Sequence, residues 1–263
     1  MSSEIGLAGW PAVAEESIIA RDVLLAEHTG ARLHICHLST AGSVEVIRWA
    51  KARGVRVTAE VTPHHLLLTE ELARSYDARY KVNPPLRRET DVLALRQAVA
   101  DGVIDIIATD HAPHPAEHKE CEWDAAAFGM VGLESALPIA QLSLVQQGHV
   151  SWAELEQLLS QRPAHIGGLA IGVDGHHPAR LDADQPAELV LIDPRGESVF
   201  DLDRLHGRSS NSPYLGMTLP GRIAYTVRRG YLTVDDGALV PAVEVAAHAA
   251  HRSHTAETQE EQR

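Results

Sequence analysis

The chain has 263 residues, 44% of them hydrophobic and 22% charged, proportions of a globular protein that exclude wholesale disorder and coiled coil. Its formal net charge of −13 disfavours nucleic acid and anionic membrane as partners, because both are bound largely by neutralising phosphates with Lys and Arg. A small-molecule substrate is the better expectation, and two cysteines, Cys36 and Cys121, imply no disulfide framework.

In chain order, Met1-Ser2-Ser3-Glu4 lacks the basic and apolar regions of a secretion signal, and no apolar run approaches the roughly 18 residues that span a bilayer. A cytoplasmic location is the expectation. From Pro11 to His28 the pattern is helical, with Glu15 and Glu16 early, Ile19, Val23 and Ala26 at helical spacing, and Gly30 as the stop. The run Arg32 to His37 reads as a buried strand, followed by a helix from about Ser43 to Ala52 and a second stop at Gly54. Val55 to Val61 repeats the strand pattern. A third unit has a helix from about Glu89 to Ala100, a turn at Asp101-Gly102 and a strand from Val103 to Thr109. Helices over about Val131–Gln147 and Ser151–Leu159 follow.

Strands alternating with helices of this length indicate βαβ units and a parallel sheet. Three strands are counted, whereas a complete eight-stranded barrel takes about 250 residues by itself. The arithmetic suggests the last three strands of a barrel, so the fold class expected is α/β, a partial (β/α)8 barrel. Barrel-type structure is expected over 1–170. Short alternating segments at Ala187–Asp193, Arg222–Val227 and Tyr231–Val234 predict a small β module over 171–240. The Ala-, His-, Glu- and Gln-rich stretch 241–263 reads as a disordered tail, and its His248, His251 and His254 carry no argument for metal storage.

Polar clusters stand at the C-terminal ends of the three predicted strands: His37 after the first, His64 and His65 after the second, and Asp110, His111 and His114 after the third. That edge is where sites assemble in parallel α/β folds. Any one histidine there could simply cap or bond locally. Three clusters on successive strand ends favour a common site, since histidine and aspartate are ordinary zinc ligands and a buried Asp110 is costly without a cation.

The segments at 34–40 (HICHLST), 60–66 (EVTPHHL), 81–87 (KVNPPLR), 109–114 (TDHAPH) and 128–134 (FGMVGLE) resemble, in order and spacing, the successive signatures of class I dihydroorotases in the amidohydrolase superfamily. The resemblance continues through 208–214 (RSSNSPY) and covers nearly everything from Gly6 to about Gly237. It implies zinc-dependent, reversible hydrolysis of the cyclic amide of dihydroorotate to N-carbamoyl-aspartate, in pyrimidine biosynthesis, with two zinc ions in a complete site. His37 is implied as a zinc ligand, Asp110 as zinc ligand and proton shuttle, and Asn83 and His114 as substrate contacts. The backbone around Phe128 and Gly129 is implied to meet the pyrimidine ring. Cys36 and Glu60 resemble residues that hold an additional zinc in some relatives, the alternative for Cys36 being a small strand residue; His64 and His65 are assigned to packing and supporting hydrogen bonds.

The family's opening His-x-His-x-Arg segment, its bridging carboxylate or carbamylated lysine and the histidine on its fifth strand are missing from this sequence. Gly6 to Pro11 (GLAGWP) resembles the stretch just after that fifth strand. The expectation is a C-terminal portion, inactive and poorly stable alone, because two ligands do not complete a zinc site and an open sheet edge invites aggregation. Two other readings stay open: a hydantoinase- or allantoinase-type cyclic amidohydrolase, and a non-catalytic subunit partnering aspartate transcarbamoylase. Homo-oligomerisation also stays open.

Overall fold

The computed structural model describes residues 1–169, 187–243 and 245; most of the tail expected at 241–263 lies outside the described residues. A short helix α1 (Ser2–Ile5) precedes α2 (Ala12–Thr29), which starts after Pro11 and ends at Gly30 with a left-handed φ of 68°. Then come β1 (Leu33–Ile35), α3 (Ala41–Ala52), β2 (Val57–Val61), α4 (Glu89–Ala100) and β3 (Ile106–Ile107). The three strands pair in parallel in the order β1-β2-β3, Leu33 facing Val57 and Glu60 facing Ile106.

Local chemistry sets these elements. The Thr40 side chain accepts from the Ser43 amide at 3.0 Å and starts α3, as an N-cap does. Asp91, in the first turn of α4, reaches across to accept from the Ala41 amide at 2.9 Å. Asp105 accepts from the Ala59 amide at 2.8 Å and pairs with Lys51, tying the entry of β3 to β2 and α3. Val57, Ala59 and Val61 of β2 are buried with Ile35, Ile107, Val23, Ile47 and Leu95 in one apolar core, so the sheet is packed by its own crossover helices. The strands are shorter than expected: β1 ends before His37, which has positive φ, and β2 and β3 begin later than the apolar runs that contain them.

Two further helical stretches follow: α5 (Ala136–Ala140), running on as a π turn to Val145, and α6 (Trp152–Glu156), continuing through a π turn to α7 (Arg162–Ile166). Ser151 and Glu154 form a capping box at the start of α6. The chain divides into two compact units, Met1–Pro163 with Val199–Leu219, and Ala164–Ser198 with Pro220–Arg263. Residues Val199–Leu219, inside the stretch expected as the β module, thus rejoin the first unit. The reason is a second apolar cluster in which Phe200, Tyr214 and Leu219 bury against Val82, Leu86, Met130 and Ile139.

The other unit holds most of a four-stranded sheet in the order β4 (Leu189–Val199), β5 (Thr218–Arg228), β6 (Tyr231–Asp235) and β7 (Ala238–Leu239). β5-β6 and β6-β7 are antiparallel. Their turns, Arg229-Gly230 and Asp236-Gly237, have positive φ at both residues, as two-residue hairpins require.

Candidate metal and substrate site

Of the residues expected at the strand ends, His37 and Asp110 come together, with Glu60 of β2 beside them. His37 Nε2 lies 3.6 Å from Asp110 Oδ1, and His37 Nδ1 lies 2.8 Å from Glu60 Oε1. The second contact suits an ion pair but lies off the line of a hydrogen bond, leaving Nδ1 buried without a hydrogen-bond partner. His37 and Asp110 both hold left-handed backbones, φ 58° and 48°. Such conformations cost of order 1–3 kcal/mol in non-glycine residues and concentrate at functional sites. Here each turns a side chain out of the sheet towards the other.

His34 was not expected in the cluster. Its Nε2 donates to Glu60 Oε2 at 3.0 Å while its Nδ1 meets the Thr58 hydroxyl at 2.8 Å. His34, Cys36 and Glu60 offer ligand atoms all within 4.8 Å of one another. His34 lies inside a predicted strand, where a histidine reads as packing; only the two-residue spacing to Cys36, which puts both on one face, could have signalled it.

Charge makes the cluster chemically distinctive. Burial raises the Asp110 carboxyl above the usual carboxylate range and the charge on Glu60 adds to this, while His37 opposes it. Burial would also raise Glu60, but His37 and His34 outweigh it and hold that carboxyl low. Glu60 in turn pushes the His37 imidazolium up against the opposing effect of burial. The Cys36 thiol is raised by burial and by the two carboxylates.

His64 and His65 are 2% and 1% exposed, their ring centroids 4.5 Å apart and their planes tilted by 50°. His65 Nε2 donates to the Pro84 carbonyl at 3.1 Å, so its Nδ1 accepts from the Thr62 hydroxyl at 2.7 Å. It thereby ties the end of β2 to the loop of Asn83, which is exposed and precedes a cis bond to Pro84.

The other expected contacts form a second group. His114 Nε2 donates to the Phe128 carbonyl at 2.8 Å, and the His114 amide donates to Ser209 Oγ at 3.0 Å. Asn211 Nδ2 donates to the carbonyls of Ala112 and Gly129 at 3.0 and 3.2 Å. Ser209 and Asn211 had no role assigned from sequence; a polar run before a buried Tyr214 was the available signal. The Gly129 amide donates to the Lys81 carbonyl at 2.9 Å, so it is committed within the protein. Gly129 has φ 125°, and a Cβ there would sit 2.5 Å from Ala112 Cβ, which is why the position is glycine. A cleft of about 540 Å³ opens beside His114, lined also by Tyr76, Arg79, Lys119, Cys121 and Asn211; His37, Glu60 and Asp110 do not line it.

No family model matches the chain. It is 65% identical over 243 residues to a dihydroorotase of Leifsonia xyli subsp. xyli, covering 92% of this chain and 54% of that protein. It is 60% identical over 239 residues to a dihydroorotase of Streptomyces coelicolor, covering 91% and 55%. The chain thus spans about half the length of the curated relatives it matches. Among solved structures it is similar to the L-hydantoinase of Arthrobacter aurescens, with TM-score 0.76, 30% identity and coverage of 88% of this chain and 51% of that one. It shares its fold, at TM-score 0.62 and 22% identity, with an inactive dihydroorotase-like domain of a Chaetomium thermophilum multifunctional protein, covering 85% and 57%. The fold is accordingly part of an amidohydrolase barrel with a small antiparallel sheet. No helix among the described residues is long and apolar enough to cross a membrane.

Proposed function

Because the chain belongs to the dihydroorotase family of amidohydrolases, spanning about half the length of its curated relatives, we propose that its site serves the reversible hydrolysis of dihydroorotate to N-carbamoyl-aspartate in pyrimidine biosynthesis. The carrying observation is that His37 and Asp110 face each other at 3.6 Å in a chain 65% identical to a dihydroorotase.

The donors fit zinc. Imidazole and carboxylate are its ordinary ligands, His37 Nε2 and Asp110 Oδ1 face each other at 3.6 Å, and a cation held by these two atoms would offset the negative charge of Asp110 and Glu60. When bound, the metal supplies Lewis acidity that polarises an amide carbonyl and makes hydroxide available near neutrality. The protein's own groups do the rest. The Asp110 carboxylate, 3.6 Å from His37 Nε2, suits a general base that takes the proton of the attacking water at Oδ and a general acid that returns it to the departing ring nitrogen. Asn83 and His114 orient the ring. With the Gly129 amide committed to Lys81, the segment at 128–129 contributes its shape and the exposed Phe128 ring.

Zinc sites take three or four protein ligands each, and His37 and Asp110 are two, so the 263-residue chain by itself is expected not to turn over dihydroorotate. The test is a chimera in which this chain replaces the corresponding stretch of the Leifsonia dihydroorotase, assayed against dihydroorotate, hydantoin and allantoin. Selective turnover of dihydroorotate supports the reading; preference for hydantoin would move it to the hydantoinases, whose structures the chain also resembles. A cytoplasmic location and association with itself or with aspartate transcarbamoylase belong to the same proposal; size-exclusion chromatography with and without that enzyme reads the association.

A further inference from the structure

Two lysines beside the second group donate to main-chain oxygens. Lys81 Nζ donates to the carbonyls of Trp123 and Asp124 at 2.6 and 3.1 Å and lies 4.5 Å over the Phe128 ring. Lys119 Nζ donates to the carbonyls of Ala127, Gly129 and Lys81 at 2.8, 2.9 and 3.3 Å. Both side chains are buried, at 8% and 6% exposure. An ammonium is costly to desolvate and carries three donors; Lys119 uses all three on main-chain oxygens. Those oxygens belong to two segments, the one leading to Asn83 and the one carrying Phe128 and Gly129. The Gly129 amide meets the same Lys81 carbonyl, so this oxygen is a shared node between the segments.

We propose that Lys119 is a positioning residue, its ammonium pinning the Phe128–Gly129 backbone to the segment that carries Asn83 and so fixing the wall against which the substrate ring is held. The assignment of that wall to the ring rests on the function proposed above; the pinning itself does not. Burial, with the neighbouring charge of Lys81 adding, lowers the Lys119 pKa to about 8, while Asp77 and Cys121 act in the opposite sense. The pin is therefore held by a cation near neutrality and weakens as the group loses its proton. Neutral lysine keeps two donors for three acceptors.

Amide hydrogen exchange on the 263-residue chain tests this directly, comparing wild type with Lys119→Met, which keeps most of the apolar stem of the side chain and removes its donors. Protection of the Gly129 amide should fall by about tenfold or more near pH 7, while the sheet amides of Ala59 and Asp105 keep theirs. Unchanged protection at Gly129 overturns the proposal. Should the variant fail to fold, the wild-type profile decides: corrected for intrinsic exchange, Gly129 protection should decline between about pH 7 and about pH 9 relative to Ala59. A flat ratio overturns the proposal as well. Adding dihydroorotate to the chimera separates the two ideas, since absence of any ligand effect on residues 114 and 127–129 counts against the ring site, whereas the exchange comparison without ligand judges Lys119 alone.

Discussion

Replacing Arg87 by Met is expected to destabilise the fold by about 3 kcal/mol, because it strands a buried carboxylate. The side chains of Arg87 and Glu15 are 9% and 12% exposed, with Nη2 3.4 Å from Oε2. Arg87 also donates from Nε to Ser39 Oγ at 2.9 Å and from Nη1 to the Trp10 carbonyl at 2.6 Å. Glu15 accepts from the Ser39 amide at 3.0 Å and the Ser43 hydroxyl at 2.7 Å, with the Ser39 hydroxyl on its other oxygen. Removing one partner of a buried pair typically costs about 3–5 kcal/mol; the hydroxyl and amide donors that Glu15 keeps bring the expectation to the lower end. Glu15→Gln keeps the shape and one of the two acceptor oxygens, which can still take the Ser39 amide and the Ser43 hydroxyl, so it should cost about 1.5 kcal/mol, the margin of a charge-assisted bond. Combining the two substitutions should cost less than their sum by about 1 kcal/mol or more, as residues of one network do. Urea unfolding followed by circular dichroism reads all three. A loss below about 0.5 kcal/mol for Arg87→Met, the range of ordinary surface changes, would refute the argument that this network holds α2, the end of β1 and the Asn83 loop together.

Acid should weaken the fold through His65, whose burial lowers its pKa from 6.5 to about 4. Above 6.5 the imidazole is neutral folded or unfolded and the full stability is present; between 6.5 and 4 only the unfolded chain gains the proton, so up to about 3 kcal/mol is lost on acidification. Unfolding midpoints at about pH 7.5 and about pH 5 should show the drop, and His65→Gln should reduce it, the rest coming from His64, which burial also lowers well below its ordinary value. Gly129→Ala, forced to φ 125° with its Cβ against Ala112, should destabilise by about 2 kcal/mol in the same assay. Tyr214→Phe should gain about 1 kcal/mol, since the Tyr214 hydroxyl is buried with no hydrogen-bond partner and its removal ends a desolvation cost.

Much of the fold was legible because periodicity and stops agree: α2 runs from Pro11 to Gly30, α4 spans Glu89–Ala100 as expected, and three parallel strands follow from three helix-separated apolar runs. What was not legible depends on distant pairing. Glu60 stands out only through the family resemblance, because it alternates with apolar residues along β2 like any strand carboxylate, and its pairing with His34 and His37 depends on β1 lying beside it. Lys119 and Asn211 sit in polar stretches whose partners are main-chain oxygens 8 to 99 residues away, and no local pattern encodes such a bond. The left-handed turns at His37 and Asp110 carry only a weak sequence signal, since histidine and aspartate are enriched there among non-glycine residues but far less so than glycine.

The most direct test of the central claim is the effect of Asp110→Asn and His37→Ala on the chimera's turnover of dihydroorotate, read together with its zinc content. Asp110→Asn should cut kcat by about two to four orders of magnitude, the usual worth of a positioned acid–base group, and His37→Ala should lower zinc content and turnover together. Retention of wild-type turnover by either variant would contradict the assignment of the strand-end cluster as the site of cyclic amide hydrolysis.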